Sequence, residues 1–248
     1  MNVQDVTPIL LLLLLGLAFS MGTGMVVFVG RLIKHKRTVS QAEPELASIS
    51  GCSPAPIQYL SRPTCWLAVK SQSLLAVQAA LGLNNPTRCC WMEGLERKLF
   101  IAPPVKGWVL VVGSGLPDPS EDVDRCYRFV LHLSRKLGQV QFFSLSRVLN
   151  HHAWVRAEGG RIVRAYAWAG RTIWKQGART AAEADLQVRC LEYGEILERA
   201  SFTQVDAVTA NVDKVPLLAA RWSLDPAGID EQVFEQERGI AGEPSRRF

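Results

Sequence analysis

Residues 107–145, GWVLVVGSGLPDPSEDVDRCYRFVLHLSRKLGQVQFFSL, read as strand, helix, strand, and the rest of the fold is placed around them. The run 107–112 is apolar and β-branched and ends at Gly113-Ser114-Gly115, as a buried strand does. Asp118-Pro119-Ser120-Glu121 has the form of a capping box with proline at the first helical position, predicting a helix from there to Leu137 that stops at Gly138. Val123, Tyr127, Val130, Leu131, Leu133 and Leu137 recur at helical spacing and form one broad buried stripe. The stretch 139–145 is the next strand.

On the N-terminal side, 65–69 (CWLAV) is a short strand, and 71–81 (SQSLLAVQAAL) a helix that starts at serine and stops at Gly82. A strand over 98–102 joins the 107–112 strand across Pro103-Pro104-Val105-Lys106. The order is therefore strand, helix, strand, strand, helix, strand. That is the split βαβ pattern of a ferredoxin-like sandwich, an α+β fold with its helices on one face of an antiparallel sheet.

On the C-terminal side, 151–158 and 161–168 flank Gly159-Gly160, a dipeptide suited to a two-residue turn with positive φ angles. This register sets Glu158 opposite Arg161, Trp154 opposite Ala165 and His151 opposite Trp168. Thr180-Ala181-Ala182-Glu183 is a second capping box and predicts a helix to about Leu191. Residues 203–222 read as mainly helical with a break near Asn211. The hairpin and these C-terminal helices extend the sandwich.

Charge is unevenly placed. Residues 6–30 carry no charged side chain, and Arg31, Lys34, Lys36 and Arg37 follow at once, so the first 37 residues hold +3 of the net +5. Pro8 to Val29 is long enough for a helix across a hydrocarbon core of about 30 Å. The rival reading is a cleaved signal peptide ending at Ala18-Phe19-Ser20. It suffers from an n-region without Lys or Arg, and from apolar sequence that continues past the cut. The cations follow the span, which predicts an N-terminus outside, a C-terminal domain in the cytoplasm, and residence in the plasma (inner) membrane. Gly16, Ser20 and Gly24 share one helix face and offer a route to homo-association. The expected organisation is a transmembrane anchor with a basic juxtamembrane cluster over 1–37, a flexible linker over 38–56, an α+β globular domain over 57–230 and a polar tail over 231–248.

Chemistry is sparse. Gly113-Ser114-Gly115 ahead of a helix suggests a phosphate loop, but Asp118 stands where a dinucleotide fingerprint needs its third glycine, and no Gly-Lys-Ser/Thr is present. The acids Asp118, Glu121, Asp122 and Asp124 would also repel a phosphate there. The six cysteines show no zinc-ligand spacing, so neither a metal nor a cofactor is expected. The nominal catalytic constellation is Cys126 with His151 or His152, a Cys–His pair of hydrolytic type.

The most distinctive candidate surface is the hairpin region. Six cations between Arg156 and Arg179 face the single acid Glu158, interleaved with aromatics. Trp154, Arg156, Arg164, Tyr166 and Trp168 are therefore the expected partner-binding residues. The competing expectation is that the aromatics fill the core while the arginines pair with the domain's own carboxylates. The stretch 149–177 (LNHHAWVRAEGGRIVRAYAWAGRTIWKQG) resembles uncharacterised bacterial proteins. That resemblance extends over about 65–222 and implies no activity.

The expected function is a membrane-anchored binding or scaffolding domain, with the lipid bilayer and a protein as partners. The alternative is a membrane-tethered enzyme, a hydrolase using the Cys–His pair. Nucleic acid is not an expected partner, because the charge beyond the anchor is only +2.

Overall fold

Alternating apolar residues make the sheet, and both of its faces are buried. The computed structural model describes residues 63–195, 207–229 and 237–244. The predicted span, its Gly16, Ser20 and Gly24 stripe, the basic cluster and the linker lie outside the described residues. Among the described residues no helix is long and apolar enough to cross a membrane.

The strands are β1 (Cys65–Lys70), β2 (Asn84–Cys89), β3 (Leu99–Ile101), β4 (Trp108–Val112), β5 (Gln139–Ser146), β6 (His151–Glu158), β7 (Arg161–Trp168), β8 (Thr172–Gln176) and β9 (Gly239–Glu243). The helices lying wholly within the described residues are α1 (Leu74–Leu81), α2 (Trp91–Leu95), α3 (Val123–Leu137), α4 (Ala181–Asp185) and α5 (Asn211–Trp222). The molecule is α+β, with a nine-stranded antiparallel sheet in the order β2-β9-β3-β4-β1-β5-β6-β7-β8. Within it β4 lies between β3 and β1, and β1 lies between β4 and β5.

Successive side chains in a strand point to opposite faces. Leu67, Val69, Val109, Val111 and Phe142 pack under α1 and α3. Trp66, Ala68, Leu110, Phe143, Trp154 and Tyr166 face the other way, against α5 and the chain around Val188 and Leu191. The second face, open in a two-layer sandwich, is therefore covered by C-terminal elements.

Helix α1 starts three residues later than expected, at a Ser73 cap that accepts the amide of Ala76, and stops as expected at Gly82 in the left-handed region. Elsewhere the structure corrects the sequence reading. Helix α3 begins one turn later than its apparent capping box. Asp118 accepts the Ser120 amide and hydroxyl at 2.8 Å each and so closes a separate turn, while Asp122 caps the helix through the Arg125 amide at 2.8 Å. Helix α4 stops at Asp185 rather than near Leu191, because Gln187 takes a positive φ of 50° and sends the chain along the sheet.

The Gly159-Gly160 turn forms with φ of 57° and 79°, and Glu158 does face Arg161. Beyond that point the register slips by one residue. A bulge makes Val163 extra, so Trp154 faces Tyr166 and His152 faces Trp168.

The tail, expected to be plain polar chain, supplies β9 between β2 and β3. Two glycines in five residues hide a strand from any propensity argument. Packing demands them: a Cβ on Gly239 would sit 2.4 Å from both the Ile101 carbonyl oxygen and Phe100 Cζ. Gly94 approaches the same ring from α2. Outside β9, the edge strand β2 carries Pro86, a positive-φ Asn85 and a register shift, which blunt it against further pairing.

Gly239→Val is expected to destabilise the domain by about 1–3 kcal/mol, the usual result of forcing methyl groups into a filled site. Urea unfolding followed by tryptophan emission checks this, and a stability equal to wild type would mean that β9 is not seated between β2 and β3.

Candidate functional site

Four of the five residues expected at the partner surface lie in the core. Trp154, Arg164, Tyr166 and Trp168 are 1%, 1%, 0% and 2% exposed. The bulge at Val163 turns Arg164, Tyr166 and Trp168 to the face that Trp154 already occupies, under the C-terminal cover. Trp154 packs on Tyr166 at 5.0 Å between centroids, and His152 stacks on Trp154 within 9° of parallel at 5.6 Å. Arg156 alone is near the surface, half-buried, and it pairs with Glu158 at 2.7 Å. Burial of the aromatics, with arginine held by the domain's own carboxylate, is the arrangement found.

Arg164 is completely bonded. Its Nε and Nη2 donate to Glu183 at 2.9 and 2.7 Å, and its Nη1 donates to the carbonyls of Ala165, Gln176 and Gly177. Nη2 also reaches the Cys190 sulfur at 3.3 Å. Glu183 in turn accepts the Trp154 indole N–H at 2.8 Å and both the amide and hydroxyl of Thr180. Burial works against both charges. Yet the hydrogen bonds from Arg164, Thr180 and Trp154 hold Glu183 below the ordinary carboxylate range, and Glu183 holds Arg164 above its own. Other cations of the region are engaged as well: Arg179 donates to the carbonyls of Glu183 and Val188, and Lys175 pairs with Glu192.

The nominal catalytic residues do not meet. Cys126 is fully buried in the layer between α3 and the sheet, where burial, then Asp118 and Asp122, raise its thiol far above the ordinary value. His152 lies across the sheet among the aromatics. It accepts from Asn211 Nδ2 at 3.3 Å, and the Asn211 amide is itself oriented by both backbone groups of Arg189. Burial pushes His152 down to about 3, so it is neutral at physiological pH. His151, one residue earlier, points to the opposite face.

That opposite face opens into a cleft of about 830 Å³ beyond the ends of four central strands. It is lined by Cys65 at the start of β1, by Ser144 and Ser146 at the end of β5, and by His151 at the start of β6. The 113–118 loop after β4, with Glu121, Arg125 and Arg147, also lines it. The Nδ1 of His151 is enclosed and has no hydrogen-bond partner among the described residues. Burial, followed by Cys126 and Asp118, raises the Cys65 thiol well above its ordinary value and keeps it protonated. Hydroxyls, carboxylates and cations therefore converge there beside a protonated thiol, and the cleft can hold a polar ligand by hydrogen bonds and charge.

Sequence reasoning missed the cleft because it is made by strand order. Ser144, Ser146 and His151 become neighbours of Cys65 only once β5 is known to sit between β1 and β6. Glu183 was legible as a helix cap but not as a core acceptor. The available signal was an arginine in the middle of an apolar strand, which needs a buried carboxylate.

No family model, curated protein or solved structure matches the chain, in keeping with a resemblance that reaches only proteins without an assigned activity.

Two predictions follow from the buried groups. Glu183→Ala strands the Arg164 charge and is expected to cost about 3–5 kcal/mol, whereas Arg164→Met combined with Glu183→Leu costs far less; urea unfolding of the three proteins decides it. For pH, a histidine held below its ordinary value adds stability above about pH 6.5 that is lost on acidification toward the folded value of about 3. Glu183, also held low, adds a further loss below about pH 4.5. Wild type should therefore lose about 1.4 kcal/mol per pH unit more than His152→Phe between pH 6 and 4.5. Parallel profiles for the two proteins would show that His152 titrates freely.

Proposed function

We propose that the chain is a single-pass protein of the inner membrane. Its α+β domain, built on a ferredoxin-like split βαβ core, faces the cytoplasm and holds a polar segment of a protein partner in the strand-end cleft. The uncharged run 6–30 followed by four cations supports the anchor and its orientation. The interleaved order β3-β4-β1-β5 supports the core. The observation that carries the binding role is the cleft itself, whose volume falls within the range of ligand sites and whose lining offers charges of both signs and hydroxyls. The hairpin aromatics, buried as they are, serve this role from behind by fixing β6 and the position of His151. Binding is favoured over hydrolysis because Cys126 is sealed in the core and Cys65 stays protonated.

The reading is tested in the full chain expressed in bacteria, with a photocrosslinking amino acid placed at Ser146 in the cleft or at the exposed Gln72, just past the other end of β1. The chain is expected to remain in carbonate-washed membranes, and irradiation should give a discrete protein adduct from position 146 that Ser114→Trp abolishes. Release by carbonate would overturn the anchor. Equal adducts from both positions, or none from the cleft, would overturn the binding site.

A further inference from the structure

The outer face of α3 carries a row of cations that the domain leaves unneutralised. Arg125, Arg128, Arg135 and Lys136 are all exposed and lie within one helical face over about 16 Å. None of them forms an ion pair within the described residues, whereas Lys98, Arg147, Arg156, Arg164, Lys175 and Arg221 each have a carboxylate partner. Helix α1, which packs beside α3, has no charged residue and exposes Leu75. The only acid on α3 is Asp124, in its first turn beside Glu121 and Asp122, so the positive potential is concentrated in the C-terminal half. His132, between the two ends of the row, is held below its ordinary value by partial burial and then by Lys136 and Arg135.

We infer that this two-helix layer docks on an anionic bilayer, with Arg128, Arg135 and Lys136 against the lipid phosphates and Leu75 at the interface. The inference rests on the membrane anchor proposed above. Charge complementarity selects the occupant, because the cytoplasmic leaflet toward which the anchor directs the domain is the anionic one. Chain length permits it: residues 31–62, which separate the predicted span from the described domain, have a reach of at most roughly 110 Å, several times the length of α3. None of Arg128, Arg135, Lys136 and Leu75 lines the strand-end cleft, so docking and partner binding use different residues. Three cations acting at the usual strength of a lysine or arginine near such a surface shift the docked equilibrium about a hundredfold.

The experiment uses the full chain in nanodiscs of phosphatidylcholine alone or with phosphatidylglycerol. A fluorescent amino acid replaces Leu75, or Val148 at the cleft end as control, and quenching by acrylamide is read. Quenching at position 75 is expected to fall about threefold in the anionic discs and to recover in high salt and in Arg128→Gln/Arg135→Gln/Lys136→Gln, while position 148 stays unchanged. The glutamine variant keeps the helix and should unfold thermally as wild type does. Equal quenching in the two lipids, or protection that survives the triple substitution, overturns the docking and leaves the anchor standing. Protection by single-stranded RNA in the neutral discs, with none from phosphatidylglycerol, assigns the face to a nucleic acid and overturns the lipid. A chain retained in neither disc overturns the anchor and the docking together.

Discussion

The buried ion pair of Arg164 and Glu183 is the constraint on which the second half of the molecule is built. Removing two charges from water costs several kcal/mol each, and the cost is met only where every donor and acceptor has a partner. Here each one does. Arg164 gathers the carbonyls at the end of β8. Glu183 is at once the third residue of a capping box, the acceptor for the Trp154 indole and the counter-charge of the arginine. One carboxylate thus ties the start of α4 to the middle of β6 and β7. From there Arg179 holds the carbonyls of Glu183 and Val188, and the Tyr166 hydroxyl holds the Leu191 amide. The C-terminal cover is therefore positioned by polar groups that reach out of the sheet, and its apolar residues fill in around them. Helix α5 follows the same rule, with Asn211 clamped to Arg189 at its start and Gln141 donating to the Trp222 carbonyl at its end.

The bulge at Val163 decides whether the hairpin is a surface or a core. With an unbroken register from the Gly159-Gly160 turn, Arg164 shares a face with Val155, and Tyr166 lies on the face opposite Trp154. One inserted residue reverses every side chain beyond it. In the structure His152, Trp154, Arg164, Tyr166 and Trp168 consequently face one way and can form a single network. The inserted Val163 carbonyl lies where a Cβ on residue 177 would be, only 2.0 Å away, so the bulge needs Gly177 beside it. Alternation and turn chemistry predict the hairpin correctly, but a bulge is a tertiary event and leaves no mark in the period of β7.

The same division explains what was legible elsewhere. The strands β1, β3, β4 and β5 and the helices α1 and α3 follow from apolar runs, glycine stops and capping residues, all local signals, and they occur close to where the sequence predicts them, each helix starting late. β2 has one buried residue in six, and β9 has two glycines in five, so neither carries a hydrophobic period. They are strands because Phe100 and the β3 backbone present a ready edge, with room for glycine alone. The cleft is legible to the same degree as the strand order that assembles it. Its residues stand in the sequence as unremarkable serines, one histidine and a turn.

Charge shows most plainly how a linear count misleads. Between Arg156 and Arg179 the count is strongly positive, yet Arg156, Arg164, Lys175 and Arg179 are all held by carboxylates or carbonyls of the domain itself. Between Asp118 and Lys136 four acids balance four cations, and a running sum passes over the region. A helix separates what the sum merges. The acids gather at the N-terminus, where the backbone N–H groups favour them, and Arg135 and Lys136 stand at the end where the carbonyls favour cations. Arg125 and Arg128 fall on the outward side because the apolar stripe of Cys126, Phe129, Val130 and Leu133 must face the sheet. The packing that buries α3 thereby sorts its charges into a polarised outer surface, and a segment neutral by count presents a cationic face with no ion pair among the described residues.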